Sequence, residues 1–333
     1  MVLLSPRGAP AEVVAQVRGW LDGPDDVRLC VETSGSTGAP KRVVLSRAAV
    51  LASVAATERR LGGSGGWVLR LPPTYVAGVQ VVVRSLVAGH APVERWPDGS
   101  GWFTSLVPTQ LARLLGSPDD TAALRRAHTV LLGGGPVDPS LRARATEAGV
   151  RVVATYGSAE TAGGCVYDGL PLDGVAVATD YDGRIRIAGP TLFDEYADDP
   201  ELTARTLVDG WFLTADAGRL DDDGRLQVLG RLDDMIVTGG VNVPGPVVAA
   251  RLREHPEIAE AEVVGVPDEE WGNRVVAFVV GTLSLEAARD WVAETRPRSW
   301  APRELFVLDA IPMLDNGKPD RLALVRLVSG DPA

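Results

Sequence analysis

The densest chemistry in the chain lies at Thr33-Ser34-Gly35-Ser36-Thr37-Gly38-Ala39-Pro40-Lys41, which combines hydroxyls, glycines and a closing lysine. Glycines let backbone N–H groups converge on an anion, the hydroxyls add donors and Lys41 adds a fixed positive charge, so the loop is suited to holding a polyphosphate. A Walker-type P-loop is excluded by spacing. That loop ends in Gly-Lys-Ser/Thr, whereas here Pro40 precedes Lys41 and Arg42 follows it. The plain alternative is a flexible Gly/Ser surface loop. Against it stands the position of the segment, between the apolar run Val27 to Val31 and a helix-like run that starts near Ser46.

A second residue stands out by its surroundings. Arg84 sits alone in Val81-Val82-Val83-Arg84-Ser85-Leu86-Val87. A guanidinium is costly to bury unpaired, so this side chain must either reach water or meet an anion. Other chemistries find no support. The 3 histidines, His90, His128 and His255, are scattered without a nucleophile or a second metal ligand at useful spacing, which argues against a Ser-His-Asp hydrolase and a zinc site. With 33 basic and 44 acidic residues the net charge is -11, which disfavours nucleic acid or an anionic membrane as partner. Cys30 and Cys165 lie in apolar or glycine-rich segments without ligand spacing, so inert thiols in a reducing compartment are expected. No basic segment leads into an uninterrupted apolar core, and the apolar stretch Val79 to Ala88 is broken by Gln80 and Arg84. A cytoplasmic, soluble protein is the expectation.

The elements that must position these residues alternate. Strand-like runs at Val27 to Val31, Trp67 to Leu71, Thr129 to Leu132 and Val150 to Thr155 end at Gly- or Pro-rich turns, which implies α/β layering. Ser105 to Leu115 reads as a helix, with Pro108 as a first-turn residue and an apolar stripe at Leu111, Leu114 and Leu115. From Gly183 the pattern shifts to short strands, Arg184 to Ala188 and Leu226 to Leu229, with a turn at Asp221-Asp222-Asp223-Gly224, so a small β-rich subdomain is expected. After Arg231 a separate pattern begins, with strands near Glu262 to Val266 and Val275 to Val280 and a helix from Leu285 to Glu294. At 333 residues, 45% of them hydrophobic, the chain has length for about two domains and a sizeable core. The predicted division is a large domain over 1–230 and a small one over 231–333, with the junction at 231 to 234.

The loop at 33 to 41 resembles the phosphate loop of the adenylate-forming superfamily, which includes acyl-CoA synthetases, peptide-synthetase adenylation domains and luciferases. Further elements of that superfamily follow in order: Tyr156-Gly157-Ser158-Ala159-Glu160, Thr214-Ala215-Asp216, Gly230-Arg231-Leu232-Asp233-Asp234 and Asn316-Gly317-Lys318-Pro319-Asp320-Arg321. The resemblance implies a large α/β domain carrying a small mobile α+β domain at its C-terminus. It also implies ATP, Mg²⁺ and, for the acyl-CoA synthetase branch, CoA as co-substrate.

Site roles follow from the same resemblance. Thr33, Ser34, Gly35, Ser36, Thr37, Gly38 and Lys41 would hold the ATP phosphates. Glu160 is similar to the Mg²⁺ carboxylate, a hard oxygen ligand suited to a metal on phosphates; the plain alternative is a solvated glutamate at a strand end. Gly133-Gly134-Gly135-Pro136 would let a planar adenine approach the backbone, although a tight turn explains it nearly as well. Tyr156 would stack on the purine with Gly157 leaving space beside it, unless it is a core tyrosine. Asp216, acceptor-only when ionised, suits the two ribose hydroxyls, and Arg231 offers a fork of donors at the junction. Lys318 corresponds to the lysine that stabilises charge during adenylation, and Asp233 to the hinge of the domain rotation. Gly239 and Gly240 would face the thioester site after that rotation, which favours CoA as acceptor.

For the acyl group, Tyr75, Ala77 and Gly78 occupy the pocket segment, with Arg84 beyond them and Gly163 and Gly164 opening room for an aromatic group. This segment, the Ser105 to Leu111 string and the short chain resemble the o-succinylbenzoate:CoA ligases of menaquinone biosynthesis, in which an arginine here holds a second carboxylate. The leading expectation is ATP-dependent ligation of o-succinylbenzoate to CoA through an acyl-adenylate. The alternatives are adenylation of another aryl or amino acid for a carrier protein, and a non-catalytic nucleotide-binding relative. Three departures accompany the match. Ala159 replaces a hydroxyl residue, with Ser158 or Thr161 as substitutes; Pro244-Gly245-Pro246 replaces Pro-x-Glu; and the phosphate loop starts unusually early. A wall of the usual architecture is therefore expected to be rebuilt, omitted or supplied by a second copy in a homodimer.

Overall fold

The computed structural model describes residues 2–33, 41–313 and 319–329, with the backbone only at Asp233 and Ser329. The chain divides into two compact units. The first comprises 1–178, 186–214 and 220–226; the second comprises 179–185, 215–219 and 227–333.

The first unit is α/β. In chain order it contains β1 (Val2–Leu4), α1 (Pro10–Asp22), β2 (Val27–Glu32), β3 (Arg42–Leu45), α2 (Arg47–Leu61), β4 (Trp67–Val68), α3 (Val76–Val87), β5 (Phe103–Leu106), α4 (Pro108–Leu114), α5 (Pro118–Leu124), β6 (Thr129–Leu132), α6 (Pro139–Glu147), β7 (Val152–Ser158), β8 (Gly163–Tyr167) and β9 (Leu170–Pro171). One sheet runs β1-β2-β3 and ends on the short strand Glu195–Tyr196, which pairs antiparallel to β3 with Tyr196 opposite Val43. A six-stranded sheet runs β4-β5-β6-β7-β8-β9. Its first four strands are parallel, separated by helices, and β8 and β9 return antiparallel.

Local sequence explains the elements near the site. Ser46 caps α2 by accepting from the Ala49 N–H at 3.1 Å, and Gly62 ends it in the left-handed region at φ 78°. Val79, Val81, Val82 and Val83 of α3 are all at most 1% exposed, and the polar Gln80 and Arg84 are buried with them, so the helix is enclosed around most of its length. Each of these valine side chains contributes about 1.5–3 kcal/mol by leaving water. The expected helix from Ser105 begins only at Pro108. Proline favours extended geometry in the residue before it, and Ser105 instead stays in β5, paired with Leu131. Gln110 then bonds the Val107 N–H at 3.1 Å, closing the helix start.

The second unit has its own core, centred on Val243, Val248, Leu252, Ala277 and Val279. Strands Met235–Thr238 and Val241–Pro244 form a hairpin whose two turn residues, Gly239 and Gly240, have φ 53° and 77°. Two consecutive positive φ values are what a two-residue type I′ turn demands, hence the glycine pair. Helix Gly245–Arg253 follows directly, so Pro244-Gly245-Pro246 is a helix start with proline in its first turn. A side chain at 245 would meet the Val263 carbonyl at 2.8 Å, which accounts for the glycine. The long hairpin Ile258–Asp268 and Gly272–Gly281 carries Glu304–Val307 in parallel on its far strand. Helices Leu285–Ala293 and Arg321–Ser329 complete the unit.

Candidate active site

The segment expected to hold phosphates is bracketed by the β2-β3 hairpin. Glu32 pairs with Arg42, the Thr33 N–H donates to the Lys41 carbonyl at 2.9 Å, and the Lys41 N–H donates to Thr33 Oγ1 at 3.2 Å. Thr33 and Lys41 are thus held as a fixed gate. Ser34, Gly35, Ser36, Thr37 and Gly38 lie outside the described residues. Lys41 Nζ stands 5.5 Å from the centroid of the Tyr196 ring, within range of a cation–π attraction.

Glu160 occupies a single 3₁₀ turn, Ala159–Thr161, at the end of β7, and only 7% of it is exposed. The Tyr196 hydroxyl donates to Glu160 Oε1 at 2.7 Å, and the Phe193 N–H donates to the Glu160 carbonyl at 2.9 Å. Burial, then the charge of Glu160, pushes the Tyr196 hydroxyl above its ordinary range, so it stays protonated and a donor. The two candidates for the hydroxyl missing at Ala159 separate clearly. Thr161 Oγ1 accepts from the Ser158 N–H at 2.9 Å and donates to the Gly163 carbonyl at 2.7 Å, whereas Ser158 Oγ is buried without a partner among the described residues.

Tyr156, half-buried in β7, lies opposite Val166. Gly157 is required by the fold: a Cβ there would sit 2.2 Å from the Gly163 carbonyl of β8. At the end of β6, Gly133 packs against Thr155, Gly134 turns at φ 78°, Gly135 has open space around its missing Cβ, and Pro136 follows.

The residues expected around an acyl group lie along α3 and β8. Tyr75 precedes α3 and is 45% exposed, Ala77 lies in its first turn, and Gly78 abuts the Pro72 carbonyl so closely that a Cβ would stand 2.1 Å from it. Gln80 donates to the Ala162 carbonyl at 2.7 Å while its Oε1 is buried without a partner. One turn further, Arg84 is 4% exposed. Its Nη2 donates to Thr57 Oγ1 at 3.2 Å and to the Tyr167 hydroxyl at 3.4 Å, and its guanidinium lies 5.1 Å from the Trp67 ring centroid. Arg84 Nε has no partner, and no carboxylate of the described residues forms an ion pair with it. So this arginine is shielded from water and, among the described residues, meets no anion; its partners there are two neutral hydroxyls and an aromatic face. Gly163 turns at φ 94° with Gln80 Cγ 3.3 Å from where its Cβ would be, and Gly164 packs against Thr155 and Tyr167.

In the second unit, Arg231 Nη1 donates to Asp216 Oδ1 at 3.4 Å. Asp233 lies in the 3₁₀ turn Leu232–Asp234, and its side chain, like the whole of Lys318, lies outside the described residues. Arg321 binds Asp234 and also donates to Glu262 Oε1 at 2.7 Å. The Gly239 N–H donates to the Trp271 carbonyl at 2.9 Å, and a Cβ on Gly239 would strike the Trp271 ring.

Sequence reasoning did not find Tyr196, Tyr167, Thr57 or Gln80 as site residues. Gln80 had a signal, a lone amide in an apolar helix. The others are brought in by strand and helix packing from distant segments. Among the described residues no group of His, Cys, Asp and Glu could hold a metal alone. The buried Glu160 offers one hard carboxylate, the kind of ligand that holds Mg²⁺ together with substrate phosphates.

Residues 11–194 match the model of the AMP-binding enzyme family, and residues 248–318 match that of the AMP-binding enzyme C-terminal domain. The chain is 46% identical to a probable 2-succinylbenzoate–CoA ligase of Mycobacterium tuberculosis, covering 92% of this chain and 86% of that one. It is 32% identical to the 2-succinylbenzoate–CoA ligase of Geobacillus kaustophilus, over 91% and 70% of the two chains. Its structure is similar to that of the o-succinylbenzoate CoA synthetase of Bacillus subtilis in complex with the acyl-adenylate intermediate, with a TM-score of 0.74 and 27% identity, covering 92% of this chain and 69% of that one. These matches lead to one conclusion: the chain belongs to the AMP-binding enzyme family.

Proposed function

We infer that the protein is an AMP-forming acid-thiol ligase that joins 2-succinylbenzoate to CoA at the expense of ATP, the ligase step of menaquinone biosynthesis. The observation that carries this reading is the 46% identity, over nearly the whole chain, to a relative named for that activity.

The chemistry asks the chain for a fixed anion site, a held carboxylate and an in-line approach. In the first half-reaction a substrate carboxylate oxygen attacks the α-phosphorus, the bond to the β-phosphate breaks and pyrophosphate leaves. Thr33, Lys41 and the loop between them are proposed to hold the phosphates. The metal, when bound, neutralises the charge that develops on those oxygens, and Glu160 is the residue proposed to hold it. Ser158 is the hydroxyl best placed to replace the one absent at Ala159. Tyr156, Gly157 and Gly133 to Pro136 are proposed for the adenine, and Asp216, held by Arg231, for the ribose. In the second half-reaction the CoA thiol attacks the acyl carbonyl, losing its proton, and AMP departs.

Arg84 is proposed to hold the second carboxylate of the substrate. A buried cation with an idle Nε and, among the described residues, only neutral partners is stabilised by an anionic ligand far more than a solvated arginine would be. Tyr75, Ala77, Gly78, Gly163 and Gly164 are proposed to line the rest of the acyl site, with Gln80 added to them. A domain boundary at 231 to 234, Asp233 as hinge, Lys318 as the adenylation lysine and Gly239-Gly240 on the CoA side complete the proposal. No helix of the described residues is long and apolar enough to cross a membrane; the cytoplasm is the proposed site of action, where both buried cysteines stay reduced.

The test is pyrophosphate release with ATP and Mg²⁺ over a panel of 2-succinylbenzoate, benzoate, a fatty acid and amino acids. Release selective for 2-succinylbenzoate is expected. Equal release with benzoate would remove the dicarboxylate assignment, and release driven by an amino acid would overturn the reading.

A further inference from the structure

Tyr196 is 3% exposed and touches both charged groups of the first unit's proposed phosphate and metal site. Its hydroxyl donates to Glu160 Oε1 at 2.7 Å, and its ring faces Lys41 Nζ at 5.5 Å. Lys41 and Glu160 form no ion pair with each other, so the tyrosine stands between them as their common support. Its backbone is fixed as well: Tyr196 pairs with Val43 of β3, two residues from Lys41, and its N–H donates to Thr203 Oγ1 at 2.9 Å. Phe193, on the same segment, holds the Glu160 carbonyl and packs on the Tyr196 ring at 4.9 Å.

This arrangement has a chemical consequence. A glutamate has three side-chain torsions, and a metal contact needs one oxygen presented in a fixed direction. The hydroxyl occupies Oε1, while Oε2 carries no hydrogen bond among the described residues. We propose that Tyr196 is a positioning residue for the metal site: it locks the Glu160 carboxylate through Oε1, leaving Oε2 to the divalent cation, and holds Lys41 over its ring at the phosphate side. The inference rests on the reading of Glu160 as the metal carboxylate. A second group that orients a metal-binding carboxylate commonly matters nearly as much as the ligand itself.

The measurement is Mn²⁺ binding, followed by electron paramagnetic resonance titration of the intact chain in the presence of α,β-methylene-ATP, which cannot react. Tyr196→Phe keeps the ring over Lys41 and removes only the hydroxyl; it is expected to weaken Mn²⁺ binding by about 10- to 100-fold, with the protein still folded at a lowered melting temperature, since a buried carboxylate loses its donor, and the KM for the carboxylate little changed. Glu160→Gln should weaken it at least as much, and the double variant no further, because the hydroxyl acts through the carboxylate. Tyr196→His, which retains an N–H donor, should recover part of the loss. Wild-type Mn²⁺ affinity in Tyr196→Phe beside a loss in Glu160→Gln overturns the positioning role and leaves Glu160 as the ligand. Wild-type affinity in Glu160→Gln instead removes Glu160 from the metal, and the inference with it. Additive losses in the double variant would make Tyr196 an independent contact.

Discussion

At the scale of single residues, Arg84 poses the sharpest trade between stability and function. Its charge is buried among Thr57, Tyr167 and Trp67 with no anion among the described residues beside it. Replacing such a group by an apolar side chain of similar length is often neutral or stabilising. Arg84→Met is therefore expected to melt at or above the wild-type temperature. Its kcat/KM for 2-succinylbenzoate should fall by more than about 30-fold, the loss typical of removing one partner from a buried charge pair, while the KM for ATP stays within about twofold. Lower stability with unchanged substrate use would make Arg84 a structural residue. Cys165 gives a prediction of another kind. Burial raises its thiol from 9.0 to about 12. Below pH 9 the folded and unfolded chains both hold the proton; between 9 and 12 only the folded chain does, so stability falls as pH rises across that window. Urea titrations from pH 8 to 11 should show Cys165→Ala losing less stability than wild type, by up to about 1.4 kcal/mol per pH unit; parallel losses would contradict the assignment. The residue scale also shows what a sequence can and cannot disclose. Glu160 stands out in the sequence because its neighbours form a recognisable string, and its metal role is the proposal made above. The choice between Ser158 and Thr161 was not legible there, since it depends on which hydroxyl is already engaged, and Thr161 is committed to the Gly163 carbonyl.

At the scale of elements, α3 shows why a glycine can be worth more than a helix former. Gly78 lies in the first turn of α3, and a Cβ there would stand 2.1 Å from the Pro72 carbonyl and 2.8 Å from Pro73 Cα. Alanine normally favours a helix by about 1 kcal/mol over glycine. Here Gly78→Ala should instead destabilise by about 1–3 kcal/mol, the cost of forcing atoms into a packed place. Denaturant unfolding decides the sign, and a stabilised variant would show that the turn at 72–73 yields. Elements were legible in the sequence where pattern and punctuation agree, as at the start of α2 near Ser46. Ser105 to Val107 were read into a helix because Pro108 was given its place in the first turn without its effect on the residues before it. Pro244-Gly245-Pro246 carried no interpretable pattern in sequence, and its meaning came only from the helix it opens and the Val263 carbonyl beside Gly245.

At the scale of the whole molecule, the family, the α/β character of the first unit and the ATP-dependent chemistry followed from ordered motifs distributed along the chain. The supports of the site did not. Tyr196 reaches Glu160 because Glu195–Tyr196 joins the edge of a sheet built by residues far earlier in the chain. Tyr167 and Thr57 meet Arg84 only after β8 and α2 have packed on α3. Side chains that carry chemistry leave local signatures, whereas those that hold them in place are recruited by topology. The central claim is that these parts form one acid-thiol ligase, and its most direct test is mass spectrometry of a reaction containing the protein, ATP, Mg²⁺, 2-succinylbenzoate and CoA. The account predicts AMP and the 2-succinylbenzoyl-CoA thioester in equal amounts, with the acyl-adenylate accumulating when CoA is withheld. AMP without thioester in the presence of CoA, or no adenylate when CoA is withheld, would contradict it.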